Sequence, residues 1–217
     1  MRVAKEGIFS GLNNLRVYDI KHEAYSQYFG FTEEEITPLI KEENLPLEEA
    51  KLWYNGYNFG GRTIYNPWSM INYLFGKKAL PYWKNTSDNN LILELIKKGG
   101  PEIKYNLQLM LNNQEVELEV SDVVNLRDMD IEDIWSLLLQ AGYLTYIEKD
   151  NKYLYKLPNK EVEDFIKQVE KKISEATVNV SGIEEAINER DWEELEGRIK
   201  SVTERTISFF DIPKEKE

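Results

Sequence analysis

The sequence predicts a mainly helical α+β protein: a bundle of short helices, then a winged-helix-like unit with a β-hairpin, then C-terminal helices. Three observations support this fold class. Helix-start signals recur along the chain and are followed by apolar residues at helical spacing. Two runs rich in aromatic and β-branched residues, 143–147 and 153–157, flank a turn at Asp150-Asn151. The 217 residues, 41% of them apolar, suffice for one good-sized core or two small ones.

Composition excludes several kinds of chemistry. The chain has no cysteine and a single histidine, His22, which excludes disulfides, thiolate zinc sites, cysteine nucleophiles and sites that need two imidazoles. His22 itself is expected to be a surface or capping residue. No apolar run approaches the roughly 20 residues that cross a bilayer, and the N-terminus lacks a secretory signal. We therefore expect a cytoplasmic protein. The net charge of -12 opposes adhesion to phosphate backbones, so nucleic acid is not an expected partner.

The first half contains several helix starts, each marked by a capping residue or by a proline, whose missing N–H is not needed in a first turn. The starts are Thr32, in a capping box with Glu35; Pro46, for a helix to about Tyr54; Asn66-Pro67, for residues 68–75; Ser87-Asp88, for residues 89–98; and Pro101, for residues 102–111. Alternating charged and apolar residues predict a half-exposed strand over 115–120. The first half is therefore predicted to be short helices linked by compact loops.

The second half has the element order of a winged-helix unit. Asp130 is predicted to cap a helix that runs to Gln140, and Gly142 ends it. The two β-rich runs follow directly, and another helix begins near Asn159. A helix that leads into a two-stranded hairpin and then into a second helix indicates a winged-helix-like unit. Two more helices, 183–188 and 192–210, are predicted to close the chain.

The most informative stretch is dense in aromatic rings, glycines and side-chain amides. It comprises Trp53–Gly61, Tyr65–Ser69 and Tyr82–Ser87. A sequence selected only to bury one face would spread these residue types out. We interpret the stretch as a built motif, with glycines at positive φ and rings that fill a helical core. The motif residues are Trp53, Tyr54, Gly56, Tyr57, Phe59, Gly60, Tyr65, Asn66, Pro67, Trp68, Tyr82, Trp83 and Asn85.

These blocks, together with Val3–Leu15 and Tyr28–Glu35, resemble the bacterial and archaeal AAA-ATPase-like family. Proteins of that family look like a P-loop ATPase domain followed by helices and a winged-helix-like region, commonly with a PD-(D/E)XK nuclease-like domain at the C-terminus. The resemblance covers about the first 160 residues, and the blocks occur in the family's order. It implies that the chain corresponds to the region between the P-loop and the nuclease.

The chain lacks the sequence that grips a nucleotide. No Gly-x-x-x-x-Gly-Lys-Ser/Thr occurs, so the amide cradle, the lysine and the magnesium-binding hydroxyl are all missing. We expect no catalysis and no cofactor for this chain alone; the resemblance implies ATP and magnesium only for a full-length relative. The expected partners are the missing ATPase and nuclease-like domains, or a separate chain that carries them.

The resemblance also suggests a division of the chain. The parts are 1–20, a remnant of the ATPase core; 21–121, a helical lid-like region; 122–176, the winged-helix-like unit; and 177–217, C-terminal helices and tail. Without its neighbouring strands, the strand Val3–Phe9 is expected to be disordered, to pair with another element or to take part in self-association.

Six polar residues are candidates for contact with a nucleotide. Lys5, Ser10, Asn13 and Asn14 follow the strand that carries the polar sensor in AAA-type ATPases, and Asn55 and Asn58 lie in the Trp53–Gly61 loop. For the first four, capping or turn formation is the competing interpretation; for the last two, it is a structural role in a rigid loop. The family commonly has an acidic and a basic residue where this chain has Asn55 and Asn58.

Two alternative functions are open at this point. Asp88, Glu102 and Lys104 match the order of a magnesium nuclease, but that chemistry needs the last two on a strand, and Glu102 is predicted in a helix's first turn. Asp128, Asp130 and Asp133 are more simply helix N-terminal acids than a metal cluster.

DNA binding is the other alternative. Four lysines gather at the predicted wing, namely Lys149, Lys152, Lys156 and Lys160. The candidate recognition helix, 130–140, has no Lys or Arg and would meet phosphates with the wrong charge. A non-catalytic regulatory or docking module is therefore the expected function.

Overall fold

The structure, a computed structural model, describes residues 2–3, 18–83, 89–121, 123–124, 129–177 and 180–200. It is mainly helical with a small β component, so the predicted fold class is confirmed. The helices are α1 (Glu33–Glu42), α2 (Leu47–Tyr54), α3 (Pro67–Gly76), α4 (Asn89–Lys98), α5 (Gly100–Leu111), α6 (Ile131–Gln140), α7 (Lys160–Thr177) and α8 (Val180–Glu189). Residues 192–200 are also helical. None of the described helices has the length and apolar character needed to cross a bilayer.

The strands are short and form three small sheets within the described residues. They are β1 (Arg2–Val3), β2 (Tyr57–Phe59), β3 (Arg62–Ile64), β4 (Val116–Glu117), β5 (Val123–Val124), β6 (Thr145–Lys149) and β7 (Lys152–Lys156). β2 and β3 form an antiparallel hairpin, and β4, β7 and β6 form an antiparallel sheet in that order. β1 pairs in parallel with β5, so Arg2 and Val3 have paired with another element, which is one of the outcomes expected for this strand. Residues 4–17 lie outside the described residues.

Two groups of buried side chains form separate cores. The first core consists of Ile36, Ile40, Ala50, Tyr54, Tyr65, Met70 and Tyr73, contributed mainly by α1, α2 and α3. The second core is larger and contains side chains of α4, α5, α6 and α7 and of the β4-β7-β6 sheet. α4 and α5 therefore belong to the second core, with the β4-β7-β6 sheet, and not to the first core with α3. Hydrogen bonds between the two parts of the chain, such as those from Ser69 and the Trp83 amide to Glu161, connect the two cores.

The predicted caps of α1, α3 and α6 are confirmed. Glu35 N donates to Thr32 Oγ1 at 3.4 Å while the Glu35 carboxylate accepts from Thr32 N at 2.9 Å, which completes the capping box of α1. Asp130 and Asp133 form the same reciprocal arrangement at the start of α6. Asn66 Oδ1 accepts from the amides of the first turn of α3, just before Pro67. The caps Ser87 and Asp88 lie outside the described residues.

Strand bounds differ from the prediction in four places, one of which is β7, observed over Lys152–Lys156 rather than 153–157. The predicted strand over 115–120 extends only over Val116–Glu117. β6 begins at Thr145 rather than Tyr143, because the Tyr143 and Leu144 amides donate to the Leu138 carbonyl and close the end of α6. After the predicted helix end near Tyr54, the rest of the Trp53–Gly61 stretch was predicted as a loop, but Tyr57–Phe59 forms β2, which pairs with β3 in a hairpin.

The turn between β6 and β7 gives a test of the hairpin. Asp150 and Asn151 have φ angles of 52° and 61°, which side chains with a branched β-carbon avoid. Asn151→Val is expected to lower the free energy of unfolding by about 1 kcal/mol, whereas Asn151→Gly is expected to keep or raise it. Urea denaturation of both variants measures the difference, and equal stabilities would contradict this geometry.

Candidate functional site

A buried carboxylate connects the two halves of the chain. Glu161 lies in the first turn of α7 and is 1% exposed. Its Oε2 accepts a hydrogen bond of 2.7 Å from the Ser69 hydroxyl on α3, and its Oε1 accepts one of 2.7 Å from the Trp83 backbone amide. Neither partner is charged. Burial raises the pKa of the Glu161 carboxyl above its ordinary value, and the bonds from Trp83 and Ser69 oppose that rise.

Asn58 joins the β2-β3 hairpin to the β6 strand. Its backbone amide donates to Thr145 Oγ1 at 2.9 Å, and its Nδ2 donates to the Tyr146 carbonyl at 3.1 Å. Its Oδ1 accepts from the Gly61 amide at 3.0 Å, within the hairpin turn. Both ends of the Asn58 side-chain amide therefore have protein partners. A charged side chain of either sign would lose one of these contacts.

Gly60 and Tyr146 bring the segment before α1 into the same contact region. The Gly60 amide donates to the Ile20 carbonyl at 2.8 Å and reaches Tyr146 Oη at 3.2 Å, while the Tyr146 hydroxyl also donates to Ile20 O at 3.2 Å. Burial raises the pKa of Tyr146 to about 12, opposed by the Gly60 amide. A β-carbon on Gly60 would lie 2.4 Å from the His22 carbonyl oxygen.

The turn at Asn55-Gly56 packs against the start of α7. Asn159 Nδ2 donates to the Asn55 carbonyl at 2.9 Å, and Asn159 Oδ1 caps α7 by accepting from Val162 N at 3.2 Å. Gly56 has a φ of 101°, and a β-carbon there would lie 2.0 Å from the Pro158 carbonyl oxygen. Only glycine allows this approach. Asn55 Oδ1 and the Tyr57 hydroxyl are buried and have no direct hydrogen-bond partner.

We call these contacts the joint. It consists of residues 55–61, Ser69 and the Trp83 amide on one side, and of Thr145, Tyr146, Pro158, Asn159 and Glu161 on the other. The joint is built mostly from hydrogen bonds and close backbone contacts, whereas each core is built from apolar packing. It therefore fixes the orientation of the two cores more than it adds buried apolar area.

The aromatic residues of the motif mostly stabilise the first core. The Tyr54 hydroxyl donates to Leu80 O and accepts from Leu80 N, each at 2.9 Å. The Tyr65 and Tyr73 rings are also fully buried, and Trp53 lies beneath the Lys160 ammonium at 5.0 Å. The interpretation of the rings as core-filling residues is thus supported, and the predicted positive φ angles of Gly56, Gly60 and Gly61 are confirmed.

The structure does not bring the six candidate nucleotide-contacting residues together as a described site. Lys5, Ser10, Asn13, Asn14 and the motif residue Asn85 lie outside the described residues. Asn55 and Asn58 are in the joint. Phe59 stacks on Phe29 at the surface, with ring centroids 5.2 Å apart, and Trp68 is exposed on α3.

Sequence reasoning missed Glu161, Asn159, Thr145 and Tyr146 as members of the joint. The sequence shows an Asn cap followed by acids, which is the usual pattern of a helix start. Nothing local distinguishes Glu161, whose carboxylate is buried, from Glu163 one half-turn later. Only the position of α3 determines which acid meets Ser69.

The residues of the nuclease alternative do not have the required geometry. Glu102 and Lys104 lie in helix α5, not on a strand, so they do not form the arrangement that a magnesium nuclease needs. Asp88 and Asp128 lie outside the described residues. Among the residues the structure describes, no three His, Cys, Asp or Glu side chains form a group that could hold a metal ion.

The DNA-binding alternative finds little support at the recognition helix. Most of α6 is buried in the second core, including Trp135 and Leu138. Its exposed residues, Glu132 and Gln140, include no basic side chain for a major groove. At the hairpin, Lys152 Nζ lies 2.9 Å from both carboxylate oxygens of Glu117, and Lys160 covers Trp53. His22 acts as a turn cap, with its Nδ1 accepting from Ala24 N at 3.0 Å.

A part of the chain is similar to a known protein of greater length. The chain is similar to the "Uncharacterized protein in vnfD 5'region" of Azotobacter chroococcum mcd 1, with 29% identity over 169 residues. The match covers 74% of this chain but only 31% of that relative, so the chain spans less than half of the relative's length. No known family matches the sequence. No solved structure matches it.

Removing the Glu161 carboxylate tests how much the joint contributes to the free energy of unfolding. Glu161→Ala is expected to lower the free energy of unfolding by about 3 kcal/mol, because the Ser69 hydroxyl and the Trp83 amide lose their acceptor in a buried site. Glu161→Gln keeps the size and one acceptor oxygen and is expected to cost less. Chemical denaturation measures both. Equal, small losses would show that the carboxylate is dispensable.

The pKa of Glu161 predicts a pH dependence. Because the folded pKa is raised, the folded protein holds the Glu161 proton more tightly than the unfolded chain, whose ordinary value is 4.5. The wild type should therefore lose stability relative to Glu161→Gln as pH rises from that value through the folded pKa. Denaturation of both proteins across this range gives the difference directly. A difference that stays constant or grows in favour of the wild type would contradict the shift.

Two glycines of the motif form a matched pair for testing the close approach. Gly56→Ala is expected to cost about 3 kcal/mol, because the new β-carbon would collide with the Pro158 carbonyl. Gly61→Ala is the control: Gly61 also has a positive φ, 83°, but has open space around it, so about 1 kcal/mol is expected. Thermal or urea unfolding compares them. Similar losses would mean that backbone conformation alone explains both glycines.

Proposed function

We propose that the chain is a non-catalytic docking and regulatory module of a longer AAA-ATPase-like protein. In this proposal the module holds its first core and its winged-helix-like unit in a fixed orientation through the joint, and an ATPase domain binds to the exposed side of α3. ATP and magnesium act on the ATPase domain and not on this chain. The observation that carries the proposal is the uncharged outer face of α3.

The composition of α3 is unusual for a helix at a surface. The helix has no charged residue on any side, although 30% of the whole chain is charged. Met70 and Tyr73 face the first core, whereas Trp68, Ile71 and Phe75 are exposed. A surface helix without charged residues, whose exposed side chains are mainly apolar, is typical of a helix that contacts a further layer of structure. Phe75 is 85% exposed, which favours a further layer against α3.

The joint supports the non-catalytic part of the proposal. The polar groups of Asn58 and Gly60 are used to hold the hairpin against β6 and the segment at Ile20, and Glu161 is occupied by two donors. A motif that is rigid in this way is suited to transmit a displacement from one face of the module to the other. The order of the motif blocks, and a relative much longer than this chain, are consistent with a module inside a larger protein.

Docking through α3 can be tested with a charge on its outer face. The first step is a search of the surrounding DNA, upstream and in neighbouring genes, for a coding sequence with a P-loop motif. The ATPase segment found in this way is expressed as a separate polypeptide. Its association with this chain is measured by light scattering. Phe75→Glu is expected to abolish association without changing the unfolding midpoint, because it places a charge in an apolar contact.

Tyr28→Glu is the matched control, since Tyr28 is also an exposed aromatic residue but lies on the 3-10 helix Ser26–Tyr28. It is expected to leave association unchanged. Equal effects of the two variants would contradict docking through α3. Hydrolysis of ATP by the purified chain alone would contradict the non-catalytic role, and so would the absence of any P-loop partner.

A further inference from the structure

The helix at residues 192–200 presents a largely exposed apolar face. Trp192, Leu195 and Ile199 are spaced three and four residues apart, so they lie on one side of this helix. Trp192 is 65% exposed and Ile199 is 49% exposed, and neither belongs to either of the two cores. Exposed apolar residues that line up on one helix face indicate a contact surface, whereas apolar residues scattered singly over a surface do not.

Asp191 fixes the start of this helix through two hydrogen bonds. Its backbone amide donates to the Ala186 carbonyl at 3.0 Å, near the end of α8, and its Oδ1 accepts from the Glu194 amide at 3.0 Å as a helix cap. These contacts are polar and leave the Trp192 and Ile199 side chains exposed. A short helix gains most of its stability from packing of its apolar face. We therefore expect this face to pack against another surface.

The charges of this helix are separated along its length. The acidic residues come first and the basic residues last: Glu193, Glu194 and Glu196, then Arg198 and Lys200. Within one chain this order suits the helix dipole. Between chains it favours one neighbour, since a second copy packed antiparallel places the acidic end of each helix beside the basic end of the other. A parallel copy would align like charges instead.

We infer that two copies of this chain associate through this face, with their helices at residues 192–200 antiparallel. The interface is symmetric, so that Trp192 of each copy packs toward Ile199 of the other. At a rise of 1.5 Å per residue the described helix is about 14 Å long. The contact therefore covers less than the roughly 1,600 Å² of a standard interface, and the dimer is weak and reversible. α3 takes no part in it, so the inference does not depend on the function proposed above.

A concentration series in the analytical ultracentrifuge tests for the dimer. The wild type is expected to change from monomer to dimer between about 10 μM and about 1 mM. Ile199→Glu is expected to abolish the dimer, because it places a charge in an apolar contact. Phe75→Glu is the matched control, since Phe75 is also an exposed apolar residue but lies on α3, and it should dimerise as the wild type does.

Ile199→Ala gives a second measure if Ile199→Glu does not fold. It shortens the apolar side chain without adding a charge and is expected to raise the dissociation constant about tenfold. A wild type that stays monomeric through the whole series overturns the inference. A dimer that survives Ile199→Glu, or that Phe75→Glu also abolishes, overturns it as well.

Cross-linking measures the orientation of the two helices, because the chain has no cysteine of its own. The variants Glu193→Cys and Lys200→Cys place a single thiol near the start and near the end of the helix. A short thiol-specific cross-linker is expected to join the two variants to each other in a mixture and to give little product with either variant alone. The opposite result, in which each variant is cross-linked mainly to itself, would show parallel helices and overturn the antiparallel dimer.

Discussion

The burial of the Glu161 carboxylate is the constraint on which the arrangement of the two cores depends. An ionised carboxylate removed from water is costly unless donors replace the lost hydration. Here the donors come from two separate places, the Ser69 hydroxyl on α3 and the Trp83 amide after it. The start of α7 can therefore occupy few positions relative to α3. Apolar packing alone would permit many more, since it is not directional.

The rings, glycines and amides of the motif stretch make different kinds of contact. Rings such as Tyr54 and Tyr65 fill the first core, and the glycines allow the chain to pass within contact distance of other backbone segments. The amides do something different: Asn58 and Asn159 reach across the joint and satisfy backbone groups on the far side. This division explains why rings, glycines and amides occur together in a short stretch. Each type supplies a contact that the other two cannot make.

Local features of the fold were predictable from the sequence, because their causes lie within a few residues. The capping box of Thr32 with Glu35, the cap at Asn66 and the turn at Asp150-Asn151 all depend on neighbours in the chain. The β2-β3 hairpin was not predicted, since its strands are three residues long and Gly60-Gly61 suits many turns. The membership of α4 and α5 in the second core was equally inaccessible, because apolar periodicity identifies a buried face but not its partner.

Only the first side of the joint, which contains residues 55–61, could be predicted from the sequence. The Trp53–Gly61 stretch was identified from its composition, whereas Glu161 and Thr145 resemble ordinary helix-start and strand residues in the sequence. Their role arises from contacts between residues some ninety positions apart, as between Ser69 and Glu161. A single sequence contains no local signal for such pairs.

A double-mutant cycle between Ser69 and Glu161 tests the central claim most directly. The free energies of unfolding of the wild type, Ser69→Ala, Glu161→Ala and the double variant are measured under one set of conditions. If the buried hydrogen bond joins the two halves, the coupling energy should be about 1.5 kcal/mol or more. Single losses that add to the double loss within about 0.5 kcal/mol would show that the two side chains act independently, which would contradict this account.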